Sequence, residues 1–480
     1  GYRFIVLEAR SDFKLQTSFP KISFAVTGFT DLLQEIAMEL DGIRSKLSLA
    51  KKLDNKDLSY IFAYREAALV TFEILRRIRV RYETKYFVII EGFIPSKQED
   101  KFRDKFSNWY HIITQIRKDN KYVPYVPTLL TNPSFIKLFE DITIEQGVQR
   151  YREIDPTPFI AFIFPMFYGI MFSDVGQGIV LLLFGKFISL KRKRNCKYWG
   201  KMMMAFGISA TIAGIVTGNI FGLELSHFTY LQSIKIFEGG VIKISAVMTI
   251  IIIAILIGTF HLALAYILVM INKIRMGEFI EAFTYEFATL VMYSFSILFA
   301  LSVMGVGSDY LHIFTNTNPI PFFSQFLGIT VPTSSAAIIS SILIILSILS
   351  IIFGRAIASL KAGEFRAMLN IGISDAFFKP IEFLTNTISY SRLGIFLIMH
   401  SALMGLVNGA WSFGFTGLPL IIFGNIFVMA IEGFLVYIQD LRLHLYEWFG
   451  KFGDAGDAIL FSSLSQETEY VNLEFLDTSS

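Results

Sequence analysis

The sequence predicts a mainly α, polytopic membrane protein: a helical membrane domain of about eight spans, the last two long and tilted, with a cytoplasmic α+β domain built on a helical hairpin. Three observations predict it. Of the 480 residues, 53% are hydrophobic and only 17% charged, whereas soluble chains carry about 25% charged residues. The deficit falls in the last two thirds, where runs such as IKISAVMTIIIIAILIGTFHLALAYILVMI exceed the roughly 20 apolar residues that a spanning helix needs. Lysine and arginine alternate between successive inter-span loops, which sets an orientation.

Residues 1–150 read as a water-soluble region. From about 25 to 82 the chain is charged and largely helical. DLLQEIAMELDGIRSKLSLAKKL carries apolar residues at heptad-like spacing, and DLSYIFAYREAALVTFEILRRIRVRYE follows the polar break at Asp54-Asn55-Lys56. Two such segments suggest an antiparallel hairpin or coiled coil. KYFVIIEGFIP predicts a strand ended by Gly92 and Pro95, and KQEDKFRDKFSNWYHIITQIRK a helix. The result is a small α/β lobe on a helical stalk. Cys196, alone of its kind, excludes an internal disulfide framework. No signal peptide opens the chain, and its start at Gly1 rather than methionine leads us to expect a preceding segment.

A membrane domain is expected over 151–455 and a cytoplasmic tail over 456–480. Eight candidate spans run near 158–173, 175–190, 200–222, 243–271, 278–306, 334–360, 373–411 and 417–449. The first two are short and separated by SDVGQG, as a tight pair or a broken helix would be. The last two are long enough to imply tilt or extension beyond the bilayer. KRKRNCKYWGK, NKIRMGE and LKAGEFR follow the second, fourth and sixth spans, while the intervening loops contain only Lys235. Both termini are therefore expected in the cytoplasm.

The final two spans carry Glu382, Arg392, His400, Glu432, Arg442 and His444. A charged guanidinium at a bilayer centre costs at least about 2.5–3.5 kcal/mol, and nothing near Arg392 in SYSRLGIFLIMH neutralises it. Arg392 and His400 stand about 12 Å apart along a helix and roughly 80° around it, able to line one broad face without touching. Glu382 and Arg442 lie toward cytoplasmic ends, where side chains can snorkel. His400 can equally be a neutral histidine bonded to a carbonyl, whereas Glu432 lies deep in FVMAIEGFLVYI.

Arginine cannot relay a proton, because it stays charged at any working pH. It can, however, favour ionisation of a carboxyl group brought close to it. With histidine and glutamate at other depths, these are the parts of a proton path with a barrier in its middle. No GxxxxGK[ST] loop occurs, so energy from ATP has to come from another chain. His261 in IGTFHLALAY and Asp174 in MFSDVGQG are expected chiefly to fix helix packing, with Asp174 and Glu382 as weaker path candidates. Gly169, Gly176 and Gly178 would let the first two spans approach closely. Neither metal-ligand spacing, nor a cofactor motif, nor a nucleic-acid patch is present. A secondary ion-coupled transporter with a cytosolic regulatory domain is the alternative, but the inverted-repeat correspondence of such folds is not seen. A membrane scaffold without transport would leave Arg392 and Glu432 unexplained.

Four stretches then carry a resemblance: YVPTLLTNPSFIKLFE, YREIDPTPFIAFIFPMFYGIMFSDVGQG, NTISYSRLGIFLIMHSALM and IEGFLVYIQDLRLHLYEWFGKF. Over about residues 85–452 the chain resembles subunit a (subunit I) of the rotary V-type and archaeal A-type ATPases. The resemblance implies a stator whose proton half-channels face a proteolipid c-ring, coupling proton translocation to ATP synthesis or hydrolysis without a nucleotide site of its own. It implies proton-translocating roles for Arg392 in SYxRL, Arg442 in the RLH segment and Glu432 in the EG motif. His400 and His444 occupy the corresponding polar positions. Implied partners are the c-ring, peripheral stalk subunits at the hairpin, a central-stalk subunit at the ring and the lipid bilayer; no cofactor is implied. The family's cytoplasmic region normally opens with a further α/β lobe, most of which is absent from this sequence. Short loops resemble the archaeal form, which implies a prokaryotic plasma membrane.

Overall fold

The computed structural model describes residues 2–9, 38, 63–70, 72, 79–83, 88–107, 111–115, 126–191, 194–224, 244–306, 312–326, 328–358, 365–452 and 458–461. It divides into two compact units, Gly1–Leu130 with Ala458–Ser480, and Thr131–Asp457. Residues 131–150, grouped by sequence with the soluble region, belong to the second unit.

In the first unit, β1 (Tyr2–Ala9), β2 (Arg79–Glu83), β3 (Val88–Pro95) and β4 (His111–Gln115) form a sheet in the order β2-β3-β1-β4, every neighbour antiparallel. Because β1 and β2 both oppose β3, they run parallel to each other and need a long crossover, the arrangement of a split βαβ unit. Helical residues 63–70 lie in that crossover; most of the expected hairpin over 25–82 falls outside the described residues. Two segments expected as helix are strands. RVRYE places Val80 opposite Ile90 and Tyr82 opposite Ile89, with a bulge between. HIITQ pairs Ile113 with Ile5 and Ile112 with Val6. Branched Ile112, Ile113 and Thr114 suit a pleated surface better than a helix. Only α1 (Glu99–Lys105) survives of the helix expected there, closed by an Arg103–Glu99 ion pair of 3.0 Å. Near the chain end, Thr128 N donates to Ile459 O at 2.8 Å, and Phe461 N donates to Thr128 O at 2.8 Å.

The second unit is helical: α2 (Glu140–Gln146), α3 (Thr157–Met171), α4 (Val175–Ser189), α5 (Arg194–Thr217), α6 (Ile244–Met276), α7 (Phe279–Val306), α8 (Thr333–Ala358), α9 (Phe365–Ser389), α10 (Ser391–Asn408) and α11 (Leu418–Arg442). Among the described residues, five helical runs are long and apolar enough to cross a bilayer, the last of them, Ala367–Lys451, taking in all but the first two residues of α9 together with α10 and α11. The chain is a multi-pass membrane protein. Where one span was expected over 373–411, the helix begins at Phe365 and is divided at Tyr390. Gly409–Gly417 then turns the chain back, with Gly414 at φ 61°, a conformation that costs glycine little. Past α11 the helix loosens into a π-helical turn, Leu443–Trp448. Such turns occur frequently at functional sites.

Helices α3 and α4 are 15 residues each, and they do not form the tight glycine-mediated pair expected between them. Both instead pack on α5. A Cβ on Gly169 would strike Ser209, and one on Gly178 would lie 2.7 Å from Thr211 N, while Gly176 faces the Phe221 ring. The seam between α4 and α5 continues through Gly185 and Gly200, whose added Cβ atoms would each lie 2.7 Å from the other's carbonyl oxygen. Small residues drive such association in lipid because backbones can touch. At Gly207 a Cβ would come 2.6 Å from Leu182 N, and backbone cannot yield cheaply. Gly207→Ala is expected to cost about 1–3 kcal/mol, read as a lower thermal unfolding midpoint in detergent. Gly405→Ala, where a Cβ meets nothing within 4 Å, should not lower that midpoint.

The core is an aromatic slab. Phe164, Phe167 and Phe172 on and after α3 are fully buried with Tyr390 and Trp448, and Tyr168 stacks on Phe206 with centroids 4.4 Å apart. Phenylalanines of α3 thus form the wall against which α10 and the π-turn place their polar side chains.

Candidate functional site

The site grows from the joint between α9 and α10. Tyr390 is fully buried there, and Leu393 N donates to its carbonyl at 3.0 Å. This turn puts Arg392 in the first turn of α10 with its side chain 21% exposed. Its neutralising partner, invisible nearby in sequence, comes from the π-turn. Arg392 Nη2 lies 3.3 Å from Glu447 Oε1 and donates to Ser389 Oγ at 3.2 Å. Desolvating both ions is expensive, and their attraction offsets that cost only when further hydrogen bonds complete the site.

Two turns along α10, a second cluster is buried more deeply. His400, Glu432 and Asp174 are 1%, 2% and 0% exposed. His400 Nδ1 lies 2.9 Å from Glu432 Oε2, and His400 Nε2 lies 3.8 Å from Asp174 Oδ2. Asp174 caps α4 by accepting from Gln177 N at 2.9 Å, and also accepts from Phe221 N at 3.0 Å and Gly222 N at 2.8 Å. Gln177 extends the cluster by donating to Asn425 Oδ1 at 3.2 Å. Two carboxylates around one imidazole can hold, share and pass a proton, which suits transfer and not ligation. The Phe172 ring, 5.1 Å from that of His400, closes one side.

The remaining predicted residues separate. His444 is fully buried, its Nδ1 3.0 Å from the Asp440 carbonyl oxygen and 3.1 Å from Asp440 Oδ1. Its ring lies among Phe164, Phe167 and His261. Arg442 is exposed and so points away from that cluster. Glu382, 42% exposed, is ion-paired to the buried Lys451. Among the described residues, the buried side-chain atoms without a hydrogen-bond partner include Arg392 Nη1, His400 Nε2, Glu432 Oε1 and Glu447 Oε2, and also His261 Nε2, His444 Nε2, Trp448 Nε1 and both carboxylate oxygens of Asp440. Buried polar atoms are usually paired, so unmet capacity gathers on the helices and π-turn around Arg392, His400 and His444.

Reading the residues singly missed Glu447 and Asp440. A signal existed for Glu447: in RLHLYE it follows His444 by one helical turn, although the π-turn that aims it at Arg392 has no sequence signature.

Comparison with known proteins places this geometry in context. Residues 13–216 match the V-type ATPase 116kDa subunit family, a match that ends before the helices carrying Arg392. The A-type ATP synthase subunit I of Saccharolobus solfataricus is 23% identical over 479 residues, covering 88% of this chain and 66% of that protein. Its counterpart in Methanocaldococcus jannaschii is 24% identical over 487 residues, covering 92% and 64%. A shorter similarity, 34% over 140 residues, links 29% of the chain to the Archaeoglobus fulgidus protein of the same name. The chain spans just under two thirds of the length of the first two relatives.

Proposed function

We propose, from this chain's membership in the subunit a (subunit I) family of rotary A/V-type ATPases, that it is the stator through which protons cross the membrane as a proteolipid c-ring turns. The observation that carries the reading is Arg392: a permanent charge, partly exposed, between outward apolar residues on both sides of the α9–α10 joint, Ile388 (54% exposed) at the end of α9 and Ile395 (47% exposed) on α10. A ring carboxyl group that is protonated in lipid would lose its proton on meeting this guanidinium. Asp174, His400 and Glu432 would form the route to one side of the membrane. Glu447, His444, Arg442 and the Glu382–Lys451 end of the helices would lead to the other.

The topology follows from the same reading. Eight crossings put both termini in the cytoplasm, and Asp174, the Phe221–Gly222 turn and Asn408 at one non-cytoplasmic end. Contact between them supports that alternation: Asp174 accepts from both turn amides, and Asn408 donates to Phe221 O at 2.9 Å. At 1.5 Å per residue α3 and α4 are about 22 Å long, so their crossings would sit behind protein or in a thinned bilayer. The first unit and hairpin would bind peripheral stalk subunits, and a central-stalk subunit would sit at the ring. The membrane is the plasma membrane of an archaeal-type prokaryote. A secondary transporter finds no support in the relatives' names.

Disulfide cross-linking tests the reading. In an assembled complex carrying Cys196→Ser and Ile395→Cys, a cysteine beside the ring's ion-binding carboxylate should link to this chain and stop ATP hydrolysis until reduced. An intact complex that yields links only from other helices would refute it.

A further inference from the structure

Helix α6 contributes no residue to the proposed path, yet one of its faces reaches both segments that carry the Arg392–Glu447 pair. Gly258 and His261 are three residues apart in α6 and therefore share a face. His261 is 4% exposed; its Nδ1 lies 2.9 Å from the hydroxyl of Tyr390, the residue at the joint just before Arg392. The other side of its ring stacks on Trp448, with centroids 5.3 Å apart and planes within 5°. Trp448 directly follows Glu447. One imidazole is thus bonded to the segment that presents the guanidinium and stacked on the segment that presents its carboxylate.

Gly258 completes the arrangement, because the Tyr390 ring occupies the space that a Cβ would need. A residue of any other type would push Tyr390, and with it the first turn of α10, away from α6. Phe167 seals the contact, its ring edge-on to both His261 at 5.0 Å and Tyr390 at 6.0 Å.

We infer that His261, seated by Gly258, is a positioning residue that fixes the register between the α9–α10 joint and the π-turn, and so sets how Arg392 and Glu447 are presented. The inference rests on the stator reading above. Losing the bond leaves both charges in place but lets the joint shift, and a geometry off by a fraction of an ångström weakens charge stabilisation that depends on preorganisation.

The test uses the assembled complex in liposomes, with ATP-driven proton uptake and ATP hydrolysis measured together for His261→Phe, Tyr390→Phe, the double variant and His261→Asn. Both phenylalanine variants keep a ring and lose the hydrogen bond. Each should lower protons taken up per ATP about fivefold, the factor equivalent to one hydrogen bond of about 1 kcal/mol. The double variant should fall no further, since one bond is lost in all three. Asparagine can place an amide where Nδ1 stands, and His261→Asn should recover most of the coupling; a purely packing role would not be rescued by this smaller side chain. If His261→Phe fails to assemble, Tyr390→Phe, which removes a single oxygen, carries the test. Unchanged coupling in Tyr390→Phe, multiplicative losses in the double variant, or an asparagine variant no better than phenylalanine would overturn the inference. Arg392→Ala, run alongside, separates the two levels. If that variant pumps normally the stator reading fails, and if it stops while Tyr390→Phe pumps normally only the positioning role fails.

Discussion

Glu432→Gln is expected to cut coupled proton uptake at least about tenfold while leaving the fold nearly as stable, and Glu432→Leu to cut both. The distinction follows from what the carboxylate does for His400. Glutamine keeps an oxygen or an amide within reach of Nδ1, now 2.9 Å from Glu432 Oε2, so the buried imidazole retains a partner. It cannot take up or release a proton, and a relay through this point stops. Leucine removes the partner as well. Breaking a buried pair by deleting one member costs about 3–5 kcal/mol, because His400 and Asp174, 1% and 0% exposed, gain no water in exchange. Unfolding midpoints in detergent and proton uptake in liposomes, measured on both variants, check the two parts separately. Equal loss of stability in both would make Glu432 a structural group.

Much of this was legible in the sequence, and the parts that were not share a cause. Helices α6, α7 and α8 follow from apolar length alone, because in lipid every backbone group must be satisfied within the helix. Arg392, His400 and Glu432 stood out by the cost of burying them. The lateral partners stayed hidden. Asp174 looked like a packing residue because its tie to His400 depends on α3 and α4 both lying against α5, which the expected α3–α4 pairing does not provide. Glu447 lay inside a motif that was read for its arginine and histidine, and only a π-turn aims it at Arg392. In the first unit, RVRYE and HIITQ follow charged, amphipathic runs, EILRRI and KQEDKFRDK, and so pass for helix. Their strand state is decided by pairing, RVRYE with the next strand in the chain, Val88–Pro95, and HIITQ with Tyr2–Ala9, a partner distant in sequence. His261 was expected to fix packing, but its contacts with Tyr390 and Trp448 join segments that its own sequence neighbourhood does not reveal.

The largest effect is expected at Arg392. Replacement by alanine removes the charge that would force a ring carboxyl group to ionise, a neighbour worth about 1–3 pKa units to such a group. The ionised population at the crossing point should therefore fall roughly 10- to 1000-fold. The same change strands Glu447, whose side chain is 7% exposed and whose Oε1 now lies 3.3 Å from the guanidinium. Nη2 alone reaches both Ser389 and Glu447; Arg392→Lys keeps a charge but neither the reach nor the planar, delocalised guanidinium, so it should fall between wild type and alanine. The decisive measurement is ATP-driven proton uptake in liposomes holding the assembled complex, wild type against Arg392→Ala, with hydrolysis followed in the same samples. Uptake at background in a complex that still assembles is the result predicted here. Undiminished uptake would make Arg392 a structural charge paired to Glu447 and contradict the account at its centre.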